Sequence, residues 1–159
     1  VSPVIRRYRS GEEVELRRLF FETVRHINIS DYSEEQVVAW APEQYDEAEW
    51  CERIHSINPF VALVDEHIAG YASIDVEGYI DHFYCHRQFQ GKGIGKSLMS
   101  RLFEQAEEYG VSRLYSHVSL TAKPFFEKHG FVAVVEQQVE VRGQKLTNFV
   151  MEKFADFRQ

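Results

Sequence analysis

Cysteine, surplus positive charge and long apolar runs are what this 159-residue chain has least of. Its two cysteines, Cys51 and Cys85, lie far apart and in no metal-ligand or redox spacing. That excludes a disulfide scaffold and a cysteine zinc cluster, and fits reduced thiols in a cytoplasmic protein. Lys and Arg number 18 against 25 Asp and Glu, a net charge of −7 spread along the chain. Without a basic face, a nucleic-acid partner is not expected. No apolar run approaches membrane-spanning length, and the opening Val1-Ser2-Pro3 lacks both a methionine and a signal-peptide pattern, so it reads as a trimmed end with no membrane partner. What is present is apolar bulk. Hydrophobic residues make up 44% and aromatics 14%, which excludes disorder and suits one domain spanning residues 1–159.

The patterning predicts a first strand over residues 4–9. Ser10 and Glu13 then read as a capping box before a helix carrying Val14, Leu16, Leu19, Phe20 and Val24. Ser33 with Gln36, and Asp46 with Glu49, open two further short helices. Apolar runs at 60–64 and 68–76, parted by Asp65-Glu66-His67, read as a hairpin, and Gly78 turns the chain into a fourth strand at 79–86. Ile94, Leu98, Met99, Leu102, Phe103, Ala106 and Tyr109 share one helical face that ends at Gly110. A fifth strand follows at 114–118, then a short helix capped by Thr121, then two strands joined at Arg142-Gly143. The order β-α-α-α-β-β-β-α-β-α-β-β has no repeat and no linker, and predicts one mixed α/β domain.

Between the fourth strand and the long helix lies Gln90-Gly91-Lys92-Gly93-Ile94-Gly95. Its glycines leave the backbone amides bare at a helix start, where the helix dipole favours an anion, and Lys92 and Lys96 add charge. Two other phosphate loops fail on spacing. In a P-loop, Gly95-Lys96-Ser97 would need a glycine where Gln90 stands, and the dinucleotide fingerprint G-x-G-x-x-G does not match G-x-G-x-G.

This loop resembles the pyrophosphate signature Gln/Arg-x-x-Gly-x-Gly/Ala of the GNAT superfamily of N-acetyltransferases. A second stretch is similar to that family's later motif: Ser119-Leu120-Thr121-Ala122-Lys123-Pro124-Phe125-Phe126-Glu127-Lys128-His129-Gly130-Phe131. Asp31-Tyr32-Ser33 and residues 39–42 resemble a bacterial subgroup. The resemblance implies a mostly antiparallel mixed sheet of six to seven strands flanked by helices and splayed between the fourth and fifth strands. It implies acetyl-CoA as cofactor, without a metal, and an amine acceptor on a small molecule or a protein.

On that resemblance, the backbone of Phe83, Tyr84 and Cys85 binds the pantetheine arm as an added strand would, and Gln90, Gly91, Lys92, Gly93, Ile94, Gly95 and Lys96 cradle the pyrophosphate. Ser119, Ala122, Phe125 and Phe126 border the cofactor. The acetyl group passes directly to the amine, without an acyl-enzyme, so a general base is useful. Asp81 and His82 are the candidates, followed by His117. Strand alternation places Asp81 with Phe83 and Cys85, and His82 with Ile80 and Tyr84, and leaves the choice between them open. Many family members carry a tyrosine acid where Phe126 stands, so Tyr84, Tyr115, Ser119 or water must serve, or the thiolate leaves unprotonated. His26, Tyr32, Trp40 and His117 are acceptor-side candidates, with Trp50 in the same region. His82 and His86, four residues apart on a strand, are separated by roughly 13 Å and do not share a metal. Cys85 reads as a small buried hydrophobe. The other reading is a non-catalytic acetyl-CoA or CoA sensor or interaction domain, and the terminal strands offer an edge for a homodimer.

Overall fold

The computed structural model describes residues 2–155. The chain runs β1 (Val4–Arg7), α1 (Glu13–His26), α2 (Glu34–Trp40), α3 (Glu47–Ile57), β2 (Phe60–Val64), β3 (His67–Ala72), β4 (Tyr79–Ile80), β5 (Phe83–Cys85), α4 (Ile94–Tyr109), β6 (Arg113–Ser119), α5 (Lys123–Lys128), β7 (Val132–Val141) and β8 (Gln144–Phe154). The strands form two four-stranded sheets, ordered β1-β2-β3-β5 and β4-β6-β8-β7. Every pairing is antiparallel except β4 with β6. The mixed α/β class and the mostly antiparallel sheet are therefore as expected.

The strand count differs because the expected fourth strand breaks at Asp81-His82. Gly78 anchors its first half. At φ 90° a Cβ there would overlap the Arg113 carbonyl oxygen, and only glycine lets the chain lie so close to β6. Tyr115 N–H donates to the Gly78 carbonyl at 3.0 Å, and the Ser116 hydroxyl to the Ile80 carbonyl at 2.7 Å. Two residues later the partner changes: Ser73 N–H donates to the His82 carbonyl at 2.9 Å, and β5 continues against β3. One run of residues thus serves both sheets, and the sheets part beyond it.

Two apolar cores fill the two sides. Leu98, Met99 and Leu102 of α4 are fully buried against Ile80, Leu114 and Met151; burial of each such side chain is worth about 1.5–3 kcal/mol. Leu16, Leu19 and Val24 of α1 pack with Ile54, Val61 and Tyr71 on the other side.

Helix starts were read unevenly. Ser33 and Gln36 form the expected reciprocal box, and Asp46 accepts from Glu49 N–H at 3.0 Å. The Ser10–Glu13 box is absent: α1 begins after Glu12, whose carboxylate takes Arg9 N–H at 2.6 Å and the Arg6 guanidinium at 2.8 and 3.0 Å. Thr121 does not cap α5 either. Ser119 Oγ accepts from Ala122 N–H at 3.1 Å, while Thr121 Oγ1 is buried without a partner. Both hairpins turn where expected, with positive φ at Asp65 and Glu66 and at Arg142 and Gly143.

Candidate active site

Where the sheets part, a cleft of about 670 Å³ runs between β5 and β6 from the start of α4 to Trp40. One wall is the free edge of β5. The His82 carbonyl and His86 N–H bond to Ser73 and Ala69 of the β3 segment, so with alternation Tyr84 also turns its peptide groups to β3. Phe83 and Cys85 turn theirs to the cleft. The Cys85 carbonyl is already taken there, by Thr23 Oγ1 at 2.9 Å and Gln90 Nε2 at 2.8 Å. Among the described residues, the two amides and the Phe83 carbonyl have no partner on this edge. Tyr84, expected to offer its backbone, offers the cleft its side chain instead.

The glycine loop closes one end. Gly93 stands at φ 80° as the residue before α4 and supplies no side-chain cap. The first helical bond is Ser97 N–H to the Gly93 carbonyl at 3.1 Å, so the amides of residues 94–96 have no acceptor among the described residues. Gly95 is required for a different reason: a Cβ would lie 2.9 Å from the Phe125 ring, so α5 can approach only a bare helix turn. Gln90 ties the loop to β5 through its bond to Cys85. Gly91, Ile94 and Lys96 border the cleft, whereas Lys92 stands on a shallower neighbouring groove with its ammonium 5.6 Å from the Phe89 ring. Lys128 and His129 of the α5 end join Lys96 here. Sequence reasoning missed both; nothing in their spacing marks them, and only the fold brings them to the loop. Burial and the surrounding lysines lower the His129 pKa.

Of the base candidates, Asp81 borders the cleft and pairs with Arg53 of α3. His82 does not border it. Its ring packs among Phe20, Trp50, Tyr71 and Tyr84 at 5.7–6.1 Å, with Nδ1 3.0 Å from the Tyr71 hydroxyl. Burial lowers its pKa to about 4. Of the predicted face-sharing, Asp81 keeps Phe83 and Cys85 on the cleft wall and His82 keeps Tyr84, but Ile80 parts from them at this break and packs in the α4 core.

Burial raises the Tyr84 phenol, and pushes the Cys85 thiol up to about 12, leaving no thiolate for covalent chemistry near neutral pH. Ser119, Ala122, Phe125 and Phe126 all border the cleft. Phe126 is only 3% exposed, packed on Phe83, Phe125 and Phe131 at 5.0–5.8 Å.

At the far end, Trp40, His117, Thr23 and Asn28 border the cleft, the last two unforeseen in the sequence. Tyr32 does not: its hydroxyl donates to the Thr147 carbonyl at 2.6 Å and accepts from Leu120 N–H at 2.9 Å. His26 is exposed at the end of α1 and outside the cleft wall. Trp50 is spent on the core through its bond to the Glu13 carbonyl at 2.7 Å, and the Tyr115 ring packs tilted on Tyr79 at 5.1 Å. No cluster of three metal-ligating side chains occurs among the described residues, nor a helix long and apolar enough to cross a membrane.

A family model, the acetyltransferase (GNAT) domain, matches residues 28–153. The chain belongs to the GNAT acetyltransferase family. It is 35% identical over 147 residues to the uncharacterized N-acetyltransferase YafP of Escherichia coli (strain K12), covering 92% of this chain and 93% of that one. A GCN5-related N-acetyltransferase from Rhodopseudomonas palustris has a TM-score of 0.93 with 30% identity, covering 98% and 97%. The PaiA N-acetyltransferase of Thermoplasma acidophilum, solved with coenzyme A, has a TM-score of 0.74 with 20% identity, covering 98% and 100%. The family match spans the split strand, the glycine loop and α5, three of the parts that line the cleft.

Proposed function

We propose that the cleft binds acetyl-CoA and passes its acetyl group to an amine entering beneath Trp40, by direct attack in a ternary complex. The observation that carries this reading is the pairing of an open β5 edge with an uncapped α4 N-terminus in one continuous cleft. A ligand with both a diphosphate and an extended amide-bearing arm uses both features, and coenzyme A has both; the PaiA relative was solved with it. Bound there, the thioester supplies an activated acetyl group.

The chain's own residues do the rest. The amides of residues 94–96, with Lys96, Lys128 and His129 beside them, hold diphosphate. The Phe83 and Cys85 amides on the open edge are available to the pantetheine arm and to the thioester oxygen, where a fixed donor lowers the barrier. A lysine-like amine is neutral in only about one molecule in a thousand near pH 7. Asp81, held by Arg53 on the cleft wall, is the group available to take the ammonium proton. His82 does not border the cleft and its ring is enclosed by Phe20, Trp50, Tyr71 and Tyr84, so it is out of reach of that proton. A thiolate with an ordinary pKa of about 8.5 leaves without much help, and the Tyr84 and Ser119 hydroxyls are at hand in the cleft.

Phe126 favours a second reading, a domain that binds acetyl-CoA without turning it over, because no hydroxyl stands at that position. Calorimetry with acetyl-CoA and thiol release across a panel of primary amines separate the two. Binding with release supports the enzyme, and binding without release across the panel supports the sensor. Gly93→Val forces a β-branched residue to φ 80° at the loop, and should weaken acetyl-CoA binding at least tenfold (about 1.4 kcal/mol). Unchanged affinity would remove the loop assignment.

A further inference from the structure

Helix α2 ends without the usual devices. Its last cap, Ala41, is not left-handed (φ −128°, ψ 76°), and Pro42 follows, so beyond the bond from Ala41 N–H to the Val37 carbonyl no backbone donor closes it. Three guanidinium groups hold its end and the residues just beyond it instead. Arg142 Nη1 donates to the Ala39 carbonyl at 2.7 Å, Arg25 Nε to the Ala41 carbonyl at 3.1 Å, and Arg17 Nη2 to the Pro42 carbonyl at 2.6 Å. Two come from α1, two turns apart, and the third from the tip of the β7–β8 hairpin.

None of the three forms an ion pair with a carboxylate among the described residues. This is unusual for Arg17, which is 7% exposed and lies 4.1 Å from the Tyr45 ring centroid and 5.1 Å from that of Trp50. A buried guanidinium normally has a counter-ion. Here the Pro42 carbonyl, just past α2, and the ring faces take that part. Arg142 carries its own local cost, standing at φ 45° where a hairpin tip ordinarily uses Asn, Asp or Gly.

The three acceptor carbonyls bracket Trp40. Its indole borders the far end of the cleft and meets Tyr32 edge-on at 5.4 Å. A seven-residue helix is too short to hold such a side chain by its own stability. We propose that Arg17, Arg25 and Arg142 are positioning residues for Trp40, fixing it over the acceptor end of the cleft and so setting the size of amine the site admits. The acceptor half of this statement rests on the function proposed above; the clamp itself does not.

The chain contains two tryptophans, so labelling with 5-fluorotryptophan gives two ¹⁹F resonances, assigned through Trp40→Phe. Arg25→Ala and Arg142→Ala should each shift or broaden the Trp40 signal while Trp50 stays in place. Arg142→Lys, which restores a donor, should return Trp40 toward its original position. With the best amine of the panel, Arg142→Ala should raise the amine KM at least fivefold, with kcat and the acetyl-CoA KM within twofold. An unmoved Trp40 resonance in both alanine variants overturns the clamp, as does an equal rise in both KM values. The Trp50 signal reports folding, and Arg25→Lys with Arg142→Lys replaces an alanine variant that fails to fold. If the original chain does not bind acetyl-CoA, the functional reading falls, and the Trp40 resonance still decides the clamp.

Discussion

Replacing His82 by glutamine should remove a pH dependence of stability that the native chain carries between pH 6.5 and 4. Burial among Phe20, Trp50, Tyr71 and Tyr84 lowers the imidazole to about 4 in the folded state, the nearby Asp81 opposing and Arg53 adding to the shift. Unfolding returns it to an ordinary value of about 6.5. As pH falls the unfolded chain binds the proton first, so this contribution is present in full above 6.5 and lost as pH drops through the folded value. At about 1.4 kcal/mol per unit, the gap amounts to about 3 kcal/mol, of which about 2 kcal/mol is lost between pH 7 and 4.5. Glutamine keeps a polar group toward the Tyr71 hydroxyl but cannot titrate. Urea unfolding of both proteins at the two pH values isolates the difference, because the carboxylates titrate alike in each. The native chain should lose about 2 kcal/mol more than His82→Gln. Equal losses, within about 0.5 kcal/mol, or an imidazole seen by NMR to titrate near its ordinary value, would refute the reasoning and return His82 to the list of bases.

Asp81→Asn should leave acetyl-CoA affinity within a few fold and lower kcat/KM for the amine by about 10²–10⁴ at neutral pH; a loss below about threefold removes Asp81 as the base. Gly78→Ala should destabilise the fold by about 3 kcal/mol, or roughly 6–12 °C in Tm, because the added Cβ overlaps the Arg113 carbonyl where β4 meets β6. Cys85→Ala should keep amine acetylation within about threefold, since burial holds the thiol at about 12 and leaves no thiolate near neutral pH. Loss of turnover with retained acetyl-CoA binding would argue for a thioester on Cys85.

Much of the fold was legible because its signals are local. The long helix α4 announced itself by one apolar face and a terminal glycine, and Gly110 caps it at φ 75°. The two hairpins were readable from period-two strands around short turns. Capping boxes were a weaker guide. Ser33 and Gln36 matched the pattern and form it, while Ser10 and Glu13 matched equally and do not. The difference lies outside the motif: Arg6 of β1 draws the Glu12 carboxylate, and with it the cap of α1, two residues past Ser10. At α5 no side chain caps the helix: Ser119 Oγ takes Ala122 N–H just ahead of it, at the end of β6, and Thr121 Oγ1 has no partner among the described residues.

The site was legible as a loop and illegible as a cleft, and one physical cause explains both. The glycine loop acts through bare amides and needs no partner far along the chain, so spacing reveals it. The cleft depends on which strand pairs with which. Residues 79–86 look uniform because alternation says nothing about the change of partner at Asp81-His82, and the reading that His82 shares a face with Ile80 failed for that reason. Yet this change is what leaves β5 with an open edge. Had β5 continued beside β6, the Phe83 and Cys85 amides would be spent within the protein and no arm could lie between the sheets. Gly78 and Ser116 hold β4 on β6, and Ser73 and Ala69 hold His82 and His86 on the β3 side. The ladder is therefore divided on purpose-built contacts at both ends, and the unpaired amides between them are the part of the site that the side chains alone do not encode.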